Sequence, residues 1–343
     1  MVSSSRSPFV QGSTASLPSG KVNYTLSDGP PSAPLLVCVH GLNGAVSSFQ
    51  HLEPLLTQGG LRVLLFDLYG FGASASPRGR LDLLTYVEQL AGLLDVLRPE
   101  GAQKVHLLGY SMGGVIAVEF ARRYPQRVSR LLLVAPGGLL AREGTPCAPL
   151  LFKGLRGPCG CSVLALATCA AMVCSCWVRR ALSKGLWFQP DVRQPELYHD
   201  VSRENTRRFA HDPSRSVNSY LRALRRMPLW QEDARHVYAG FARGPVPVLF
   251  LWGAEDCVVP HCEAQEDIVA LFGKRGASCV RLEGAGHGLL LEEADQVAGC
   301  AQAWFSDSQD PEWLECLRSF RLAEPTEAPL SAPVAPDTIG LGV

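Results

Sequence analysis

A serine between two glycines stands at the end of an apolar run, in the segment Leu107-Leu108-Gly109-Tyr110-Ser111-Met112-Gly113-Gly114. Strand-forming residues precede the serine and helix-forming residues follow it, so the pattern predicts a strand, a very tight turn and a helix. Such a turn needs glycine at 109 and 113, because a side chain at either position would collide with neighbouring backbone. The turn lifts the Ser111 hydroxyl clear of the sheet edge, where it could act as a nucleophile.

Two loops further along the chain offer the groups that such a nucleophile requires. A serine hydroxyl is a poor nucleophile until a base takes its proton, and the base needs a carboxylate that fixes its tautomer. His287 lies between Gly286 and Gly288 after an apolar, strand-like run. Asp256 and its neighbour Glu255 follow the preceding run of this kind. The residue types therefore predict a triad of serine, histidine and carboxylate, with two rival acids.

These motifs resemble those of the α/β-hydrolase superfamily, and the resemblance covers about residues 34–305. In that superfamily a G-x-S-x-G elbow carries the serine, and the chain order is serine, acid, histidine. The segment 253–260 matches the family pattern G-x-x-D-x-x-V-P, which selects Asp256 rather than Glu255. The resemblance implies Ser111 as nucleophile, His287 as base and Asp256 as its orienter. Relatives that open epoxides or displace halide carry aspartate at the elbow, so Ser111 excludes those subclasses.

A second family motif concerns the oxyanion that forms when a serine attacks an acyl carbon. His40-Gly41-Leu42 resembles the family's H-G-x loop after the third strand. The resemblance implies that the backbone amides of Leu42 and Met112 form the oxyanion hole. We expect His40 to brace this turn, and Asn43 and Tyr110 to contact the substrate.

Short apolar runs alternate with helical segments along most of the chain. The runs that predict strands lie at residues 22–26, 35–39, 61–66, 105–108, 131–134, 246–251 and 277–282. Helices are predicted at 47–58, at 81–97 and after the elbow. This alternation favours an α/β-hydrolase fold, a doubly wound and mostly parallel sheet with a helical lid insertion. The loop Asp67-x-x-Gly70-x-Gly72-x-Ser74 also matches the superfamily, and we expect it to be structural.

Composition shifts divide the chain into four parts. We predict a flexible N-terminal segment at 1–20, where no secretory signal is evident. Residues 21–136 and 242–322 form the predicted hydrolase core, and 137–241 form the lid or cap insertion. Residues 323–343 are rich in proline and alanine, which predicts a disordered tail.

The lid contains residues 161–178 without a single charge. Their number just reaches the length of a membrane span. A single crossing here would separate Ser111 from the acid and the base, so we predict a lid helix instead. Lys153, Arg156, Arg179 and Arg180 flank the run, which is typical of a segment lying in a lipid surface. The alternative, an apolar cap that lines a substrate pocket, is equally compatible with the sequence.

The charge balance and the cysteines bear on nucleic-acid binding, on the cellular setting and on metal binding. Lys plus Arg and Asp plus Glu both number 32, so no overall basic field exists to attract nucleic acid. Several of the 12 cysteines lie in apolar runs, which favours a reducing, cytoplasmic setting. The lid run adds the expectation of peripheral membrane contact. Cys159-x-Cys161 and Cys174-x-Cys176 frame an apolar stretch rather than the polar loop of a zinc site. We therefore expect no metal and no cofactor.

The triad predicts a serine hydrolase that cleaves carboxylic esters through an acyl-enzyme. A similarity to monoacylglycerol-lipase-like hydrolases implies lipid or acylglycerol esters as substrates, with membrane contact through the lid. The same triad also serves amidases, thioesterases and carbon-carbon bond hydrolases, and the elbow does not separate them. A non-catalytic, hydrolase-like binding protein is a further alternative, because a fold does not by itself imply activity.

Overall fold

A computed structural model describes residues 12–97, 104–140, 193–273 and 277–306. Eight strands form one sheet in the order β1-β2-β4-β3-β5-β6-β7-β8. The strands are β1 (Ser13–Leu17), β2 (Gly20–Leu26), β3 (Leu35–Val39), β4 (Arg62–Phe66), β5 (Val105–Tyr110), β6 (Val128–Val134), β7 (Val248–Gly253) and β8 (Ser278–Leu282). The helices are α1 (Leu52–Gln58), α2 (Leu83–Leu97), α3 (Met112–Arg123), α4 (His199–His211), α5 (Pro213–Arg226), α6 (Gln231–Ala242), α7 (His261–Phe272), α8 (Leu289–Glu292) and α9 (Ala294–Phe305).

The sheet is parallel from β4 through β8, and β1 and β2 are added antiparallel at one edge. Every residue of β3, β5 and β7 is buried. Strands are apolar along their whole length when helices cover both faces of a sheet. Among the helices described, α1 contacts α9; α2, α3, α6 and α7 contact one another in a row; and α4 contacts α5. The predicted sheet, doubly wound and mostly parallel, is confirmed.

Residues 1–11 of the predicted flexible segment 1–20 lie outside the described residues, and the described part of the segment differs from that expectation. Residues Ser13–Leu17 form β1, which pairs with β2 in a hairpin that aligns Ser13 with Tyr24. Only Ala15 among the five β1 residues is buried. An edge strand with one buried side chain has almost no apolar pattern, so its sequence looks like a polar linker.

The predicted helix at 47–58 is also divided in the structure. A short 3₁₀ helix, Val46–Phe49, precedes α1, which begins at Leu52. The 3₁₀ helix follows directly on the His40–Gly44 turn and contacts both α4 and α8. It therefore connects the predicted oxyanion loop with the cap and with the helix after His287.

The described part of the predicted insertion between β6 and β7 consists mainly of α4, α5 and α6. One face of α5 is fastened to the loop after β4 by residues at helical spacing. Arg215 donates to the Ser74 carbonyl, and the Ser219 hydroxyl lies 2.9 Å from that of Ser76. Arg222 donates to the Pro77 carbonyl at 2.9 Å. These contacts fix α5 on the core.

The uncharged run at 161–178, on which the lipid hypothesis depends, lies outside the described residues. Among the helices that the structure does describe, none combines the length and apolar character needed to cross a bilayer.

Candidate active site

The turn that carries Ser111 is as sharp as the sequence predicts, since β5 ends one residue before Ser111 and α3 begins one residue after it. Ser111 has φ 53° and ψ −121°, a left-handed region that non-glycine residues rarely occupy. A Cβ on Gly109 would lie 2.7 Å from the Gly113 carbonyl oxygen, and one on Gly113 would lie 2.7 Å from a carbonyl carbon at the end of β3. The Ser111 carbonyl accepts from the amides of Gly114 and Gly137, at 2.9 and 3.0 Å. Close packing and these bonds hold the strained residue in place.

The three predicted triad residues lie in one hydrogen-bonded row. His287 Nε2 is 3.2 Å from Ser111 Oγ, and His287 Nδ1 is 2.8 Å from Asp256 Oδ2. The other carboxylate oxygen, Oδ1, accepts from the amides of Val258 and Val259, at 2.9 and 2.8 Å. An ionised carboxylate only accepts hydrogen bonds, so Nδ1 carries the imidazole proton and the Nε2 lone pair faces the serine.

The loops that carry the acid and the histidine are joined to each other and to β5. The amide of Glu255 donates to the Ala285 carbonyl at 2.9 Å. A Cβ on Gly253 would lie 2.8 Å from the Ala285 carbonyl carbon, so only glycine permits this approach. The Tyr110 hydroxyl donates to the His287 carbonyl at 2.9 Å, and the two rings lie 5.2 Å apart. Tyr110 thus supports the histidine loop, and its contact with substrate stays a prediction.

The two rival acids occupy different environments. Asp256 is 5% exposed. The Glu255 side chain is 58% exposed and pairs with Arg193. Of the two carboxylates, Asp256 is the one within hydrogen-bond distance of His287.

The predicted oxyanion turn lies against the serine. The Gly44 amide donates to the Gly41 carbonyl at 3.1 Å, and Asn43 completes this tight turn with φ 59°. A Cβ on Gly41 would lie 3.0 Å from Ser111 Cβ, which measures how closely the turn approaches Ser111. Leu42 stands inside the turn, and Met112 is the first residue of α3, where amides lack an intrahelical acceptor. The roles of Leu42, Met112 and Asn43 stay predictions.

Buried His40 connects this turn to the loop after β4. Its Nδ1 donates to the Gly41 carbonyl at 2.7 Å, and its Nε2 accepts from the Leu68 amide at 2.9 Å. Burial lowers the pKa of His40 to about 4, so the ring is neutral near pH 7. The neutral ring with one donor and one acceptor braces the turn, as the sequence predicted.

The Asp67 loop has the structural role that its motif predicted. Asp67 Oδ1 accepts from the Val46 amide at 2.8 Å, and Oδ2 accepts from Ala73 N and Asn23 Nδ2, each at 2.8 Å. Gly72 has φ 54° and packs directly on the carboxylate. Asp67 therefore fixes the start of the 3₁₀ helix that follows the predicted oxyanion turn.

Sequence reasoning missed two groups around the site. Asn23 on β2 is buried and donates a hydrogen bond to Asp67. No local sequence pattern predicts this contact. Glu204 and Arg208 on α4 form a largely buried ion pair, and burial lowers the pKa of Arg208 to about 10. The i, i+4 spacing of Glu204 and Arg208 could have predicted the ion pair, but this spacing is more typical of a solvent-exposed helix face, so it did not indicate burial.

The chain belongs to the α/β hydrolase fold family, whose pattern matches residues 34–294. That range is well over half of the chain and contains all three members of the serine, acid and histidine row.

Individual relatives differ in what they do. An uncharacterized protein, Rv2715, of Mycobacterium tuberculosis is 27% identical over 261 residues, which are 75% of this chain and 70% of that protein. 1-Acylglycerol-3-phosphate O-acyltransferase ABHD5 of Sus scrofa is 31% identical over 165 residues, 42% and 46% of the two chains. 2-Hydroxy-6-oxo-6-phenylhexa-2,4-dienoate hydrolase of Comamonas testosteroni is 34% identical over 121 residues, 34% and 38% of the two chains.

Solved structures share the fold. A bacterial membrane phospholipase A superposes with a TM-score of 0.62 at 22% identity, covering 89% of this chain and 86% of the other. At that identity the similarity supports the architecture alone.

Proposed function

We propose that this protein is a serine hydrolase that cleaves carboxylic esters through an acyl-enzyme. The observation that supports this is the hydrogen-bonded row in which His287 Nε2 lies 3.2 Å from Ser111 Oγ while Asp256 holds Nδ1. Geometry of this kind lets one imidazole accept the serine proton and later return it to the leaving group.

In the proposed reaction, Ser111 Oγ attacks the acyl carbon while its proton passes to His287 Nε2. The oxyanion accepts hydrogen bonds from the amides of Leu42 and Met112. Asp256 stabilises the imidazolium that forms. The tetrahedral intermediate then expels an alcohol, which takes the proton from His287. Water attacks the acyl-enzyme with His287 as base, and this step releases the acid and regenerates Ser111.

The proposed substrates are lipid esters. Residues 137–241 contain 15 Lys and Arg against 8 Asp and Glu, whereas the whole chain is neutral. A cap with excess positive charge and an uncharged run suits a surface of anionic lipid, where each basic side chain contributes about 1 kcal/mol of attraction. The relative named as an acyltransferase acting on 1-acylglycerol-3-phosphate is consistent with a lipid ester. We propose cytoplasmic location with peripheral contact through the cap.

A second candidate is carbon-carbon bond hydrolysis, which the Comamonas dienoate hydrolase favours. A substrate panel separates the candidates. It contains a monoacylglycerol, a short 4-nitrophenyl ester, an acyl thioester, an anilide and a ring-cleavage dienoate, each with wild type and Ser111→Ala. Ser111-dependent turnover of the esters supports the proposal. Preference for the dienoate would overturn it, and no turnover of any substrate would favour a non-catalytic binding protein.

Membrane contact has its own test. Wild type should sediment with vesicles of phosphatidylserine and phosphatidylcholine, and replacing Leu164 and Leu166 with aspartate should release it. Hydrolysis of the short soluble ester should stay intact in that variant. If the wild type does not sediment and the variant unfolds, the uncharged run at 161–178 belongs to the buried core of the cap, and the lipid proposal fails.

A further inference from the structure

The chain that leads into α4 is held by the loops that carry the triad. The amides of Arg193 and Gln194 both donate to Oε1 of Glu292, at 2.8 and 2.9 Å. Glu292 ends α8, the short helix that begins directly after His287 and Gly288. One carboxylate therefore connects the cap to the element that follows the catalytic histidine.

This contact joins two backbone amides at the entry to a short helix to a carboxylate from a distant part of the chain. Gln194 precedes the 3₁₀ helix Pro195–Tyr198, whose first bond runs from the Leu197 amide to the Gln194 carbonyl. The carboxylate of Glu292 accepts from the amides of the two residues directly before this helix, and hydrogen bonds to a charged acceptor are the stronger kind.

Two further contacts join the same segments. Arg193 pairs with Glu255, the residue before Asp256, but both side chains are more than a third exposed, so the pair contributes little by itself. Tyr198 lies directly over Gly288, with no room for a Cβ between them. The segment 193–198 thus contacts the acid loop and the histidine loop at once, and the bonds to Glu292 are its most specific link.

We propose that Glu292 is a positioning residue for catalysis, which holds the cap and the His287 loop in one fixed arrangement. This role rests on the proposed function, because it matters only if His287 transfers a proton from Ser111. Contacts of α8 with Val46–Phe49 extend the same link to the predicted oxyanion turn. Displacement of a catalytic group by about 1 Å can cost about 100-fold in rate.

The test compares Glu292→Ala and Glu292→Gln with a matched control. The control is Glu293→Gln, which removes the same charge one residue away. The hydrogen bond described for the Glu293 side chain is the one that it accepts from Gln296. In Glu292→Ala we expect kcat on the short ester to fall about 10- to 100-fold with KM little changed. Glu292→Gln keeps an acceptor oxygen and should recover most of the rate. Glu293→Gln should match the wild type.

Hydrogen-deuterium exchange provides a readout that does not depend on activity. The amides of Arg193 and Gln194 should exchange faster in Glu292→Ala and stay near wild type in Glu293→Gln. Faster exchange with unchanged kcat would limit Glu292 to a structural role, and unchanged exchange would refute the contact itself. If the alanine variant does not fold, Glu292→Met, which keeps the length of the side chain but lacks an acceptor oxygen, takes its place in both assays, and wild-type values in both refute the proposal. An inactive wild type with the expected exchange pattern would instead refute the proposed function.

Discussion

Replacing Asp256 with asparagine tests the role of the acid in the most direct way. The amides of Val258 and Val259 both donate to Asp256 Oδ1. An asparagine must keep its oxygen there, so its NH₂ group faces His287 Nδ1, which then has to accept. The imidazole proton moves to Nε2, and the ring can no longer take the serine proton. In triads of this type the wrong tautomer costs about 10⁴-fold in kcat, which corresponds to about 5 kcal/mol of transition-state stabilisation.

The assay is kcat on a short 4-nitrophenyl ester, together with the rate at which a fluorophosphonate modifies Ser111. The neighbouring variant Glu255→Gln is the comparison, because its side chain is largely exposed and should cost less than about tenfold. Thermal unfolding should show that the isosteric Asp256→Asn protein is folded. A loss below tenfold for Asp256→Asn, or an equal loss for Glu255→Gln, would refute the assignment of the acid.

Three further outcomes follow from the packing around the site. Below pH 6.5 His40 is protonated in the unfolded chain, while the buried ring of the folded protein stays neutral down to about pH 4. Lowering the pH from 6.5 to 4 should therefore reduce the free energy of unfolding by up to about 3 kcal/mol. His40→Gln should weaken this pH dependence in urea titrations. Gly113→Ala should destabilise the protein by about 3 kcal/mol or more, because the new Cβ would collide with the backbone of β3. The control is Gly79→Ala, where a Cβ would have no atom within 4 Å, and it should be neutral or slightly stabilising in the same titration. Tyr110→Phe leaves the buried His287 carbonyl without its 2.9 Å donor and should cost about 1 to 2 kcal/mol; no change in its chemical denaturation midpoint would contradict this.

The sheet and the elbow could be predicted because their signals are local. Buried parallel strands such as β3 and β7 are continuous apolar runs, and the glycines at 109 and 113 mark a turn where a side chain has no room. The polar strand β1 gave no such signal, since its stability comes from pairing with β2 rather than from an apolar face.

Contacts between distant segments set the limit on prediction of the site. The residue pattern alone left Asp256 and Glu255 as rivals, and the family resemblance chose between them. The structure adds the physical difference, one carboxylate buried against His287 and the other exposed beside Arg193. Glu292 and the amides of Arg193 and Gln194 lie almost 100 positions apart along the chain. No periodicity or composition can predict such a pair.

The central claim is that Ser111 is the nucleophile, and covalent labelling tests it most directly. Wild type and Ser111→Ala are incubated with a fluorophosphonate, and the adduct is located by peptide mass spectrometry. We predict one adduct on Ser111 in the wild type and none in the variant. Labelling that persists in Ser111→Ala, or an adduct that maps to another residue, would contradict the account.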